Sequence, residues 1–331
     1  MTATKTIILT RSEVASLLTI DECIEGVENA FKMRALGKAI APGILGIHAQ
    51  NGGFHIKAGI LNLDREYFVA KTNANFPQNM KAHGLPTIQG VVVVSDASNG
   101  RLLALMDSIE LTIIRTGAAT AVAAKYLARQ NANVLSIFGC GNQGRISLRA
   151  LMRVREIKTV YVHDINLSAA ETFANELSTE LNISIHVANS ISEAVSQSHI
   201  CVTCTPSKKY FIDKKDVQPG TFIAAVGSDN EDKQELDPLL LSSNKIVVDS
   251  LDQCAKIGEL HHALDLGILT REQVYSELGE IIAAHKQGRK SEDEIIIFDS
   301  TGTALQDVAS AAIVYERATQ LGIGLSVVFS E

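Results

Sequence analysis

The chain has 331 residues, enough for about two domains. Its hydrophobic content of 46% fits a globular core, and a net charge of −7 gives no reason to expect a nucleic-acid partner. The longest apolar runs fall far short of a membrane span, and the opening MTATKTIILTRSEV carries no leader-like segment, so a cytoplasmic protein is expected.

In chain order, RSEVASLLTIDECIEGVENAFKMRALGK reads as two amphipathic helices, with Thr19 at a helix start and Gly37 near an end. GFHIKAGIL, EYFVAKTNANF and TIQGVVVVSDASNGRLLALM read as strands, and Ser98-Asn99-Gly100 is a hairpin signal. Helices followed by strands without alternating crossovers suggest an α+β domain. A helix is expected from Gly117 to Gln130, with Arg115 at its start.

Val134 to Phe138 is a short, apolar run that suits a buried parallel strand. Gly139, Gly141 and Gly144 then form G-x-G-x-x-G, and Ile146, Leu148, Leu151 and Val154 follow at roughly helical spacing. The first glycine permits a tight turn, the second lets a pyrophosphate approach the backbone, and the third lets helix and strand pack closely. The helix N-terminus offers its positive dipole end to the phosphates. The next strand, TVYVHD, ends in Asp164, close to the ~20-residue spacing expected for an acid that binds ribose hydroxyls. A carboxylate there repels a 2′-phosphate, which favours NAD(H) over NADP(H). Its competing role is a solvated strand end.

Beyond Asp164, strands and helices alternate through ISIHVA, HICVTCT, TFIAAVG, KIVVDS and EIIIFDST, the pattern of a doubly wound parallel sheet. Cys201 and Cys204 form C-x-x-C, but inside a strand and with no second pair, so the five cysteines read as core thiols and no metal is expected. An alanine-rich helix from Ala304 to Gln320 follows the last strand. The fold class is therefore α/β: a Rossmann doubly wound parallel sheet, 118–302, inserted into an α+β substrate-binding and dimerisation domain, 1–117 plus 303–331.

GLPTIQGVVVVSDASNGRLLALMDSIELTIIRTGAATAVAAKYLA, GCGNQG, VGSDNEDKQELDP, ELGEIIA and FDSTGTALQDVASAAIVYE together resemble the signature of the ornithine cyclodeaminase/mu-crystallin family over essentially the whole chain. The C-terminal half is most similar to its archaeal alanine dehydrogenases and its reductases of small α-imino acids. The resemblance implies a homodimer that binds NAD(P) and interconverts α-amino and α-imino acids by hydride transfer. It implies that Asp229, just past TFIAAVG, is the acid/base, that Lys71 and Arg115 bind the substrate carboxylate with Lys71 counted among the catalytic residues, and that Thr301 and Gly302 lie on the substrate side. Thr87, Arg115, Asn142, Gln143, Thr205, Val226, Gly227, Ser228 and Lys233 fall at cofactor-contacting positions, beside Gly139, Gly141 and Asp164.

From the residues alone, GSDNEDK is as readily an acidic surface loop, and Lys71 and Arg115 interrupt apolar runs as structural ion pairs would. One departure stands out. Many relatives carry a further cation where Gly43 and Ile44 stand here, whereas Lys57 lies on the following strand. Lys57 is either a strand lysine facing water or the replacement. His55, His83, His261 and His262 read as core or surface histidines rather than general bases. The expected activity is NAD(H)-dependent interconversion of a small α-amino acid with its α-imino or keto acid, of the alanine dehydrogenase type or as reduction of a cyclic imine such as Δ1-pyrroline-2-carboxylate. Alternatives are ornithine cyclodeamination and a non-catalytic mu-crystallin-like binder.

Overall fold

A computed structural model describes residues 5–41 and 43–329. Residues 1–4, which begin the stretch read above for a leader, lie outside the described residues, as do Pro42, in the stretch read for a cation, and residues 330 and 331. The elements run β1 (Lys5–Leu9), α1 (Arg11–Leu17), α2 (Ile20–Ala35), β2 (Ala39–Ile40), β3 (Ile44–Ala49), β4 (Gly52–Asn62), β5 (Glu66–Asn75), α3 (Asn79–His83), β6 (Ile88–Asp96), β7 (Leu102–Asp107) and α4 (Ile109–Leu127). They continue with β8 (Val134–Phe138), α5 (Asn142–Leu151), β9 (Thr159–His163), α6 (Leu167–Leu181), β10 (Ser184–Val187), α7 (Ile191–Gln197), β11 (Ile200–Thr203), β12 (Lys208–Ile212), β13 (Phe222–Ala225), β14 (Gln234–Leu236), α8 (Pro238–Ser242) and β15 (Lys245–Val248). The last are α9 (Leu251–Ile257), α10 (Glu259–Asp265), β16 (Ser276–Glu277), α11 (Leu278–Ile282), β17 (Ile296–Asp299), α12 (Ala304–Leu321) and β18 (Leu325–Val328).

The chain divides into two compact units, Met1–Arg115 with Thr303–Glu331, and Thr116–Gly302. In the first, an eight-stranded sheet has the order β18-β1-β7-β6-β5-β4-β2, with β3 also paired to β4. The central pairs β4–β5, β5–β6 and β6–β7 are antiparallel, and Ser98-Asn99-Gly100 lies in the turn between β6 and β7, as its hairpin signal predicts. Helix α12 packs on β4, β5 and β6 and against α2. Both helices earlier in the chain start as their sequences indicate. Thr10 and Thr19 each form a capping box with the glutamate three residues on, which satisfies N–H groups that a helix start leaves open. Register sets one row of side chains across this sheet: Ile44 opposite Lys57, Lys57 opposite Lys71, and Lys71 opposite Val92. Alternation puts those side chains on a common face.

The second unit holds an eight-stranded sheet in the order β10-β9-β8-β11-β13-β17-β15-β16, and every pairing in it is parallel. Its strands β11, β13 and β17 are buried throughout, which is why ICV, FIAA and IIF read as apolar runs, with Thr203 and Asp299 at the ends of β11 and β17. This is the doubly wound parallel sheet expected from the alternation. Its first crossover, β8–α5–β9, carries the glycine turn. A small parallel pair, β12 and β14, was not foreseen. Neither was edge strand β18 of the first sheet, which is antiparallel to β1.

One expectation is corrected. The helix predicted to begin at Gly117 begins at Ile109, so Arg115 lies well inside α4 and does not sit at its start. The carboxylate of Asp107 accepts the backbone N–H of Ile109 and opens the helix there. The β-branched run LTIIRT is helical because Leu111 and Ile114, with Ala118, form a buried stripe at helical spacing. Arg115 therefore presents its side chain from the body of the helix rather than from its first turn. Among the described residues, no helix is long and apolar enough to cross a membrane.

Candidate active site

The glycine turn has the geometry that a dinucleotide requires. Gly139 adopts φ +104, and a Cβ on Gly144 would stand 2.2 Å from the Gly139 carbonyl oxygen, so α5 starts as close to the turn as backbone allows. A Cβ on Gly141 would meet nothing within 4 Å, so open space faces the turn at its second glycine. Asn142 and Gln143 begin α5, and the buried Oε1 of Gln143 has no hydrogen-bond partner. Asp164 follows β9 and ties back to the turn: Oδ2 accepts from the Cys140 N–H at 2.9 Å and Oδ1 from the Asn166 N–H at 2.9 Å. Each carboxylate oxygen retains a second lone pair for a hydroxyl. Ile165, next in the chain, is 100% exposed, leaving an apolar side chain in the open beside that acid. The residues present fit a dinucleotide.

At the carboxyl ends of the neighbouring strands, buried acids strap the loops together. The Glu235 carboxylate, on β14, accepts from the Thr205 N–H at 2.6 Å, the Thr205 hydroxyl at 2.7 Å and the Gly227 N–H at 3.1 Å. It thereby joins the loop after β11 to the loop after β13. Glu259 receives the N–H groups of Glu235 and Leu236 at 2.8 and 3.0 Å. Asp299, at the end of β17, receives the Leu260 N–H at 2.9 Å. Asp249 receives Gly302 N–H at 2.7 Å and the Ser300 hydroxyl at 2.9 Å, which fixes the loop that carries Thr301. Burial raises Glu235, and it raises Glu259 well above the ordinary carboxylate range with help from the charges of Glu235 and Asp299. Burial also pushes Asp299 up to about 7.

Asp229 lies on the loop that Glu235 anchors, two residues past Gly227. Lys233 holds it from the other side: its ammonium donates to Asp229 Oδ1 at 2.7 Å and to the Gly227 carbonyl at 3.1 Å. The Ser228 hydroxyl closes the loop on the Lys233 carbonyl at 2.7 Å, and Val226 continues β13 by donating to the Thr203 carbonyl. His262 Nε2 also meets the Lys233 carbonyl, at 2.8 Å, while His261 Nδ1 contacts the Gly258 carbonyl. The two histidines thus serve loop structure, and burial lowers His262.

In the first unit, Asp307 on α12 is the centre of a buried charge cluster. Its Oδ1 accepts from Lys71 Nζ at 2.6 Å and from Arg115 Nε at 3.1 Å. Lys71 also donates to the Thr112 hydroxyl at 3.2 Å, and Arg115 Nη1 donates to Gln306 Oε1 at 2.7 Å. Lys57, only 9% exposed, is the register neighbour of Lys71 and adds its charge to the field at Asp307. It is not a lysine facing water. Burial pushes Lys71 down to about 7, against the opposing pull of Asp307 and with the help of Arg115 and Lys57. Burial alone would raise Asp307, but Lys71 and Arg115 outweigh it and hold the carboxyl below its usual range.

The structure thus gathers Lys57, Lys71 and Arg115 in one unit, and Gly139, Gly141, Asn142, Gln143, Asp164, Thr205, Val226, Gly227, Ser228, Asp229, Lys233, Thr301 and Gly302 in the other. Thr87 is exposed on the first unit between α3 and β6. Sequence reasoning missed Gln306, Asp307 and the four strapping acids. The signal for the first two was available: Gln306, Asp307 and Ser310 interrupt an alanine-rich helix and are all buried. Among the described residues, no group of three His, Cys, Asp or Glu is placed to hold a metal ion. All five thiols are unpaired, and burial pushes Cys201 up to about 12.

A glycine turn on a parallel sheet, an acid at the end of the next strand and a buried cluster of cations around one carboxylate define an α/β protein of the dinucleotide-binding type. The chain belongs to the ornithine cyclodeaminase/mu-crystallin family, whose model matches residues 4–322. It is 40% identical over 326 residues to the alanine dehydrogenase of Archaeoglobus fulgidus, covering 98% of this chain and 99% of that protein. It superposes on an archaeal alanine dehydrogenase dimer with bound NAD with a TM-score of 0.94 at 40% identity, covering 98% of this chain and 100% of that one. It also superposes on the Δ1-pyrroline-2-carboxylate reductase of Thermococcus litoralis, in complex with NADH and L-proline, with a TM-score of 0.93 at 34% identity, covering 97% and 100%.

The cluster yields a stability prediction. Asp307→Asn keeps the shape but leaves two buried cations without their counter-charge. The unfolding free energy should fall by roughly 3 kcal/mol, read as a lower denaturant midpoint at unchanged slope. A midpoint equal to that of the wild type would mean that the cluster contributes nothing to stability.

Proposed function

We propose that this protein is an NAD(H)-dependent oxidoreductase that interconverts a small α-amino acid and its α-imino or keto acid, of the alanine dehydrogenase type or as a reductase of a cyclic imine such as Δ1-pyrroline-2-carboxylate. The observation that carries the reading is the buried set of three cations around Asp307. A carboxylate that leaves water needs charge compensation, and Arg115 can offer a planar pair of donors. In this reading the first unit, 1–117 with 303–331, binds the substrate and dimerises, and the second, 118–302, binds the cofactor.

Lys57 takes the place of the cation absent at Gly43 and Ile44. Ile44 is its direct register partner, and side chains so paired lie about 4.5–5.5 Å apart at Cβ. A cation at either position therefore serves the same spot on the sheet. The glycine turn and Thr205 hold the dinucleotide, with Thr87 and the Val226–Ser228 loop as further contacts, and Asp164 accepts the ribose hydroxyls. Thr301 and Gly302 border the substrate. When bound, NAD(H) supplies or accepts the hydride. Asp229, fixed by Lys233, takes the proton from the substrate nitrogen during oxidation and returns it during reduction. Lys71 and Arg115 keep the α-carbon in register by holding the carboxylate.

A homodimer fits the apolar side chains on the outer part of the first sheet. Leu45, Ile47 and Phe54 are exposed, with Ile47 opposite Phe54, and Met80 and Ile88 are exposed nearby in the chain. The five unpaired thiols fit a reducing compartment, and we place the protein in the cytoplasm.

The deciding experiment follows NADH oxidation with small keto acids plus ammonia and with cyclic imino acids. Turnover of at least one is expected, and none at all, despite tight NADH binding, would favour a mu-crystallin-like binder. Asp229→Asn should reduce kcat by ~10²–10⁴ and leave NADH affinity within a few-fold; near-normal turnover would remove Asp229 from the mechanism. Asp164→Ser should narrow the preference for NADH over NADPH, and a wild type that prefers NADPH would contradict the assignment. Because Lys71 loses its charge above about 7, the KM for the carboxylate substrate should rise with pH beyond that point, by up to about tenfold per unit. Lys71→Arg, always charged, should flatten that rise; a slope identical in both would show that Lys71 does not control binding.

A further inference from the structure

The first two polar residues of α12 are both buried, and both carry an unmet hydrogen-bonding atom. Gln306 is 1% exposed. Its Oε1 accepts from Arg115 Nη1 at 2.7 Å. Oxygen and nitrogen of an amide are often interchangeable in a structure, but a guanidinium has only donors. The atom facing Arg115 must therefore be oxygen, and Nε2 points elsewhere. That Nε2 is buried with no hydrogen-bond partner. The neighbouring Asp307 is likewise satisfied on one side only: Oδ1 holds Lys71 and Arg115, while buried Oδ2 has no partner. Buried polar atoms left unmet cost free energy, so each calls for an explanation.

Chemistry at position 306 narrows the explanation. If the side chain served only to orient Arg115, a glutamate would do so with a stronger, charged contact. Glutamate would also neutralise the guanidinium and remove the unmet N–H. Glutamine keeps the acceptor for Arg115, leaves the cation's charge available and adds a donor beside it. Such an arrangement is matched by an anionic oxygen.

We propose that Gln306 is a substrate-binding residue, its Nε2 donating a hydrogen bond to the carboxylate of a small α-amino or α-imino acid beside Arg115 and Lys71. The proposal rests on the reading that this cluster holds the substrate carboxylate. Arg115 and Gln306 then act as one unit: the guanidinium fixes the amide, and both present N–H groups to the same ligand.

The test measures binding of L-alanine and L-proline to the NADH-loaded protein by calorimetry, so that no turnover is needed. Two variants are used. Gln306→Glu keeps the contact with Arg115 but loses the donor and adds negative charge; Gln306→Met removes the polar group. Gln306→Met should weaken amino-acid binding about tenfold, as loss of one hydrogen bond to a charged group does, and Gln306→Glu should weaken it about a hundredfold or more. NADH affinity should stay within twofold in both. Unchanged amino-acid affinity in both variants overturns the proposal. If Arg115→Met also leaves that affinity unchanged, or the wild type binds neither amino acid, the carboxylate reading falls with it. If Arg115→Met weakens binding and the Gln306 variants do not, only the role of Gln306 is lost.

Discussion

The first unit is organised around one carboxylate. Asp307, 1% exposed, brings an ammonium from β5 and a guanidinium from α4 to a single oxygen on α12. Without it, Lys71 and Arg115 would be like charges inside a protein, a state that burial does not tolerate. With it, they stay close but incompletely neutralised, because Lys57 and the second cation leave more positive than negative charge in the field that acts on Asp307. The depressed Lys71 is the trace of that surplus: burial and the two neighbouring cations outweigh the one anion.

The second unit solves a different problem with the same residue type. Loops that leave the ends of parallel strands expose backbone N–H groups that no strand can satisfy. Glu235, Glu259, Asp299 and Asp249 take up those groups in turn, from Thr205 and Gly227 across to Gly302. Glu235, Glu259 and Asp299, raised by burial, can remain in such a chain because each is fed by backbone donors. The loop of Asp229 is thus rigid on one side through Glu235 and on the other through Lys233.

Local chemistry was legible in the sequence and long-range chemistry was not. The glycine turn and the helix start at Thr19 rest on neighbours within a few residues, and the parallel sheet on the alternation of strands and helices, so pattern alone revealed them. The start of α4 was misread because Thr112, Ile113 and Ile114 favour strands by propensity, and only packing in the folded unit decides for helix. Lys57 could not be resolved between water and the site, since the answer lies in its pairing with Lys71 and Ile44. Glu235 and Asp307 look like any surface acids in a string of letters. Their roles depend on partners that arrive from other strands and helices.

Because the first unit is built from both ends of the chain, it also has an order of assembly. Lys71 and Asp307 are 236 residues apart, and Arg115 and Asp307 are 192 apart. During synthesis at roughly 5–20 residues per second, Arg115 leaves the ribosome about 10–40 s before its counter-ion exists. Throughout that interval Lys71 on β5 and Arg115 on α4 wait for the carboxylate they will share, and the face that α12 will cover stays open to water. The intervening unit has all its residues, 116–302, before α12 is made. The nucleotide fold can therefore be complete while the first unit is still unfinished, and the last helix to be translated is the one that closes it.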